Sequence, residues 1–251
     1  MKYVRYEMNG EVSYGALQDG VITRIEGNIF DRHTLTGEKL ALSSVKLLAP
    51  VQPSKVIGMG INYFDFIQKM NIPQPQFPYI FLKAPTAVCA TGDDVLIPAD
   101  DTVNFEAELV AVIKDTCKNV PQEEALDHVF GFTCCNDMTD RTDLLRDNHM
   151  GVSKNYDTFL PLGPVIETEM GWEDVSIKLV LNDETKIDGN TNNMIFKLPE
   201  QIAFISSIMT LHPGDVILTG SPAGASPVKD GDVMEITIEG IGTLKNPVKN
   251  R

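Results

Sequence analysis

The chain predicts a β-rich α+β fold, and three observations carry that expectation. Short apolar stretches of strand length recur from one end to the other, Asn-Gly and Asp-Gly turn signals separate the first of them, and helical periodicity is confined to isolated segments. Because strands and helices do not alternate regularly, a doubly wound parallel sheet is disfavoured. No internal repeat or low-complexity stretch interrupts the 251 residues, a length suited to one large domain with a small appendage.

Residues 3–8, 12–17 and 21–25 read as three strands joined by hairpin turns at Asn9-Gly10 and Asp19-Gly20. Residues 1–52 are therefore expected as a small N-terminal β subdomain and 53–251 as the main domain, with Pro50 and Pro53 bracketing the junction. A buried strand over 55–60 ends in a glycine-permitted turn, a short helix is expected over 62–71, and the proline-rich stretch 73–78 suits a lid. Strands follow over 79–83 and 106–113, then a helix over 121–129 with proline in its first turn, then a short apolar strand over 130–135. Pro161-Leu162-Gly163-Pro164 reads as a rigid turn. Residues 175–181 and 233–238 alternate as half-buried strands do, while Ile202, Ile205, Ile208 and Met209 fall at helical spacing within 199–211.

A net charge of -14 and a pI near 4.6 oppose nonspecific binding to nucleic acid or to an anionic membrane. No apolar run approaches a membrane span, and the first residues lack the apolar core of a signal peptide, so a cytoplasmic protein is expected. Cys89, Cys117, Cys134 and Cys135 show neither metal-finger spacing nor a secreted disulfide framework, and are expected as reduced, mostly buried thiols.

Glu106 and Glu108 stand two apart at the head of the apolar run Leu109-Val110-Ala111-Val112-Ile113. On an extended strand they share a face, and like charges that close need a cation, a shared proton or open water. A hard divalent ion is the reading with most chemical content, and a solvated strand end is the plainer one. An acidic cluster follows the strand at 130–135; Asp137 is the best third oxygen ligand by position, with Asp140 and Asp143 as alternatives and an acidic helix start as the ordinary explanation for all three. Lys154, just before the 161–164 turn, is a candidate for holding a carboxylate or enolate oxygen. Leu218-Thr219-Gly220-Ser221-Pro222-Ala223-Gly224 is a small-residue turn able to form an anion-binding nest.

In order, Gly60-Ile61-Asn62-Tyr63, Phe81-Leu82-Lys83, Phe105-Glu106-Ala107-Glu108-Leu109, Asn136-Asp137-Met138-Thr139, Lys154 with Asp157-Thr158-Phe159, Leu218-Thr219-Gly220 and the closing 239–248 segment resemble the fumarylacetoacetate hydrolase family. The resemblance implies a mixed β-sandwich roll, a homodimer, and Mg²⁺ or Mn²⁺ bound by Glu106, Glu108 and Asp137. It also implies a small 2-oxo or β-dicarbonyl acid as substrate, met by Lys83, Arg141 and Lys154, with Asn62, Thr219 and Gly220 as further contacts. Family members hydrolyse carbon–carbon bonds, decarboxylate, or interconvert keto and enol forms, and in each case a metal-stabilised enolate unites the chemistry.

Two departures surround the expected pocket. Where hydrolases and decarboxylases of the family carry a histidine and, three residues later, a glutamate on a lid helix, this chain has Phe66 and Lys69; a glutamine expected near Arg141 is replaced by Leu144. Phenylalanine cannot accept a proton. The leading expectation is therefore enolate chemistry without a lid base (tautomerisation, double-bond isomerisation or decarboxylation), with Lys154 relaying protons if burial beside a metal lowers its pKa. A carbon–carbon hydrolase whose water is activated by the metal, with His149 as a further candidate, is the second reading. A fold that binds without catalysis is the third.

Overall fold

The computed structural model describes residues 1–251 except Asn148, with Asp147 described by its backbone alone. Its largest sheet runs, in spatial order, through His33–Ala41, Val21–Gly27, Glu11–Gln18, Lys2–Met8, Leu160–Glu167, Val129–Asn136, Ala107–Ile113, Val216–Leu218, Val56–Gly60 and Tyr79–Lys83. A five-stranded sheet of Glu184–Asn190, Ser176–Leu181, Val233–Ile238, Gly242–Asn250 and Val95–Ile97 packs against the middle of the first, giving the sandwich. A third, small sheet joins Thr139–Asp140, Val103–Asn104 and Pro227–Val228.

Ala107–Ile113 is the centre of this arrangement. All seven residues are buried, because neighbours flank the strand on both edges and protein covers both faces; this is why its sequence is continuously apolar rather than alternating. Two more expected strands, Tyr79–Lys83 and Val233–Ile238, have the expected bounds. Residues 121–129 wind as the 3-10 helix Gln122–His128 rather than as an α-helix. The 161–164 stretch is not a turn: it lies inside Leu160–Glu167, where the pairing with Val129–Asn136 is irregular between Phe132 and Cys134, and such irregularity is where a strand tolerates proline. His33–Ala41 and Gly242–Asn250 are additional strands, the first nearly all exposed or half-exposed and so without an apolar alternation to announce it.

The N-terminal strands do not form a separate sheet. Lys2 and Tyr3 pair with Glu167 and Ile166, so the first unit continues the central sheet. Among the described residues no helix is long and apolar enough to cross a membrane.

The starts of Val56–Gly60 and Val216–Leu218 are locked by Asp215, which is fully buried. Its Oδ1 accepts from the Ser54 amide (3.1 Å), the Ser54 hydroxyl (2.6 Å) and the Lys55 amide (3.0 Å). Oδ2 accepts from the His212 amide at 2.8 Å and pairs with the Lys55 ammonium. Removing one partner of such a buried charge leaves the others unsatisfied. Asp215→Ala is expected to lower the unfolding free energy by about 3–5 kcal/mol, read from urea denaturation, with Asp215→Asn costing less because one acceptor remains.

Candidate active site

The ladder between Ala107–Ile113 and Val129–Asn136 sets the acids opposite one another. Beyond the strand's first residue, the Asp137 amide donates to the Glu106 carbonyl (2.8 Å) and the Glu106 amide donates to Asn136 Oδ1 (3.0 Å), so the pairing runs one step further and fixes both side chains. Glu106, Glu108 and Asp137 each present an oxygen to one point, all within 4.8 Å of one another. Asp140 and Asp143 turn elsewhere: Asp140 Oδ1 accepts from the Asp143 amide at 3.1 Å, and Asp143 takes the Tyr156 hydroxyl at 2.6 Å and Arg146 at 2.6 Å.

Two lysines close on Asp137 from opposite sides. Lys83 Nζ donates to Asp137 Oδ1 at 2.5 Å and to the Met138 carbonyl at 3.0 Å. Lys154 Nζ donates to Asp137 Oδ2 and, at 3.0 Å, to Glu106 Oε2, while resting 4.6 Å from the ring centre of Phe81. Burial raises the Asp137 carboxyl, but the two ammoniums outweigh it and hold it below the usual carboxylate range. Burial alone would lower Lys154; in the metal-free chain Asp137 and Glu106 overcome that effect and raise it, holding the group as an ammonium. Lys83 is lowered, with burial the largest cause.

Glu108 has the opposite fate. Burial pushes its carboxyl well up, Asp137 and Glu106 add to the shift, and the Gly220 amide, donating to Oε2 at 2.6 Å, only partly offsets it. Three carboxylates against two ammoniums leave one net negative charge in a buried place, and the donors are all hard oxygens. That set fits a divalent cation of the Mg²⁺ or Mn²⁺ kind.

A cavity of about 210 Å³ opens above the cluster and is lined by Glu106, Glu108, Thr139, Arg141 and Lys154 on its polar side. Phe66, Ile72, Leu144 and Met150 supply much of the apolar wall, so both departures from the family pattern face the cavity. Lys69 is exposed and lies outside the lining. His149 is also exposed and outside it, with its ring over Gly151.

Not every expected contact reaches the cavity. The Asn62 side chain is buried beneath it, donating to the carbonyls of Phe196 (3.2 Å) and Thr219 (2.8 Å) and accepting from the Phe196 amide (2.8 Å). Thr219 is buried with its hydroxyl on the Leu109 carbonyl at 2.9 Å, and Gly220 acts through Glu108. Lys83 supports Asp137 from below. Thr139, whose hydroxyl donates to Glu106 Oε1 at 3.3 Å, and Phe81 enter the site without having been singled out by the sequence reading; Phe81 sits two residues before Lys83, on the same strand face.

The fumarylacetoacetate (FAA) hydrolase C-terminal family matches residues 55–249, and a family described as Rv2993c-like, N-terminal, matches residues 1–50. The chain belongs to the fumarylacetoacetate hydrolase family. The crystal structure of 2-hydroxyhepta-2,4-diene-1,7-dioate isomerase from Mycobacterium marinum is 36% identical and superposes with a TM-score of 0.94, covering 100% of this chain and 99% of that one. Human mitochondrial oxaloacetate tautomerase FAHD2A is 38% identical over 223 residues, 83% of this chain and 71% of that protein. Maleylpyruvate hydrolase from Sphingobium sp. SYK-6, crystallised with manganese(II) ion and pyruvate, is 29% identical with a TM-score of 0.84, covering 100% and 99%. The relatives are thus tautomerases, isomerases and hydrolases, and one holds a divalent metal.

The Glu108 shift has a stability consequence. Its folded pKa lies above the unfolded value, so in metal-free protein its contribution is favourable at low pH and is lost as pH rises through the folded pKa. Glu108→Gln is therefore expected to stabilise the chelator-treated protein by about 0.5–2 kcal/mol, as single stabilising substitutions do. The gain should be larger at pH 8 than at pH 5 in paired urea denaturations.

Proposed function

We propose that the protein is a divalent-metal-dependent enzyme that interconverts keto and enol forms, or isomerises or decarboxylates, a small 2-oxo dicarboxylic acid. The observation that carries this reading is the make-up of the cavity: carboxylates and cations converge at its base, and the wall where a hydrolytic base would sit is Phe66. A Mg²⁺ or Mn²⁺ ion held by Glu106, Glu108 and Asp137 would polarise the 2-oxo group and stabilise negative charge on the enolate.

The chain's own groups supply the rest. With such an ion the cluster carries one net positive charge, and Arg141 on the cavity wall adds a second, so a dianionic acid is balanced. Among the described residues the Arg141 side chain forms no hydrogen bond or ion pair, which leaves its planar donor edge for the carboxylate remote from the 2-oxo group. Lys154, held as an ammonium by Asp137 and Glu106, places a fixed charge beside the developing enolate and needs no reorganisation to do so. Tautomerisation asks only that one proton leave the carbon beside the carbonyl and another reach the oxygen, or the reverse, with water as the carrier. Carbon–carbon hydrolysis also needs an activated water, for which Phe66 offers no base and His149, exposed outside the cavity lining, offers none directly, leaving only the metal to activate it.

The relatives named for oxaloacetate tautomerase activity suggest the first substrate to try. With oxaloacetate and Mg²⁺ or Mn²⁺, the enol absorbance is expected to decay faster than in buffer, and Glu106→Ala is expected to remove at least about 10²-fold of the rate. Arg141→Ala should act mainly on KM, by about 10- to 100-fold, the loss of a charge-assisted hydrogen bond. Preferential cleavage of an acylpyruvate would replace this reading with the hydrolase one, and silence on both substrates would favour a binding protein. The expected homodimer stands with this proposal and is checked by light scattering.

A further inference from the structure

Beyond the far end of Ala107–Ile113, a second group of ligating side chains comes together. Asp115, Cys117 and His128 each offer one ligand atom, and the three atoms lie within 4.8 Å of one another. His128 Nδ1 is 2.5 Å from Asp115 Oδ1. The Cys117 side chain closes the group from the protein interior, while His128 and Asp115 reach solvent, with side chains 24% and 48% exposed. We propose that this is a second metal site, for a zinc-class divalent ion, with Cys117 sulfur, an imidazole nitrogen of His128 and an Asp115 oxygen as its three protein ligands and water in the fourth position.

The donor set selects the ion. Sulfur, imidazole and carboxylate together suit Zn²⁺ in four-coordinate geometry, whereas the all-oxygen group around Glu108 suits a hard ion. Charge closes as well: a thiolate and one carboxylate neutralise a divalent cation, and the thiol proton leaves to solvent on binding.

The backbone already holds the ligands in place. Cys117 exchanges two hydrogen bonds with Leu211, at 3.1 and 2.9 Å, and the Lys114 amide donates to the His128 carbonyl at 2.8 Å. Neither arrangement uses a ligating side chain. Among the described residues the Cys117 thiol makes no hydrogen bond, while Cys134 Sγ donates to the Gly163 carbonyl at 2.8 Å. His212 does not join the group; it lies across from Thr116, its Nδ1 3.3 Å from the Thr116 hydroxyl. An ion here would tie together the two ends of the 114–128 connection between neighbouring strands. Seven residues separate Asp115 from Glu108, roughly 20 Å along a strand, so the effect would fall on the fold rather than on the cavity.

Cobalt titration of chelator-treated, full-length protein tests the proposal. Co²⁺ at this site is expected to give a thiolate charge-transfer band in the near ultraviolet, saturating within two equivalents because the cavity's carboxylates also take Co²⁺, and bleached by Zn²⁺; those carboxylates cannot produce the band. Cys117→Ser should abolish it, and His128→Gln should weaken Co²⁺ binding at least tenfold. Should Cys117→Ser fail to fold, His128→Gln decides, because its side chain is partly exposed. Absence of the band at saturating Co²⁺, or a band that survives with unchanged affinity in His128→Gln, would overturn the site.

Discussion

The contact on which the site depends is Asp137 held between two lysines. Its carboxylate has no exposure, and neither does the side chain of Lys83; Lys154 has almost none. A buried ion pair seldom stabilises a protein more than apolar residues of the same volume would, because desolvation consumes the attraction. The triad is thus a poor device for stability and a good one for position. It joins an edge strand through Lys83, the turn after Val129–Asn136 through Asp137, and the end of the short helix Met150–Ser153 through Lys154. Three elements distant in sequence meet at one carboxylate, and Glu106 is drawn in by the same Lys154.

Glu108 gives the triad its polarity. Unlike Asp137 it makes no lysine salt bridge among the described residues; Lys154 acts on it only at longer range, and its hydrogen bond is to the Gly220 amide, whose φ of +96° allows that amide to face inward. A Cβ at Gly220 would come within 2.8 Å of Asn62 Cβ, so the buried Asn62 and the open glycine are parts of one support for Glu108. The folded chain therefore balances one acid and leaves the other in deficit, a division of charge met by a proton on Glu108 or by a cation at their shared point.

What the sequence made legible follows from how locally each feature is determined. Strands whose burial alternates or is uniform, such as Val233–Ile238 and Ala107–Ile113, could be read from pattern alone, and His33–Ala41 could not, since it buries too little to leave a pattern. Leu160–Glu167 was hidden by Pro161 and Pro164, which signal a turn unless the irregular pairing partner is known. In the site, the spacing of Glu106 and Glu108 gave a shared direction but no burial, and burial is what changes their chemistry. The rise of Lys154 above its ordinary pKa in the metal-free chain comes from partners 17 and 48 residues away, which local context does not show. Asn62 matched a family motif by sequence and proved to be engaged with main chain, a role that only the fold could separate from substrate contact.

The pairing of Lys2 and Tyr3 with the end of Leu160–Glu167 decides where the open edge of the sheet falls. Open sheet edges recruit other chains, and the N-terminal hairpins occupy the edge that the central strands would otherwise present. The outermost of these strands, His33–Ala41, carries Glu38 and Lys39 in an almost wholly exposed ribbon, a composition that discourages further pairing. The appendage moves the sheet's unsatisfied border away from the strands that hold the acids and ends it in a charged, exposed segment.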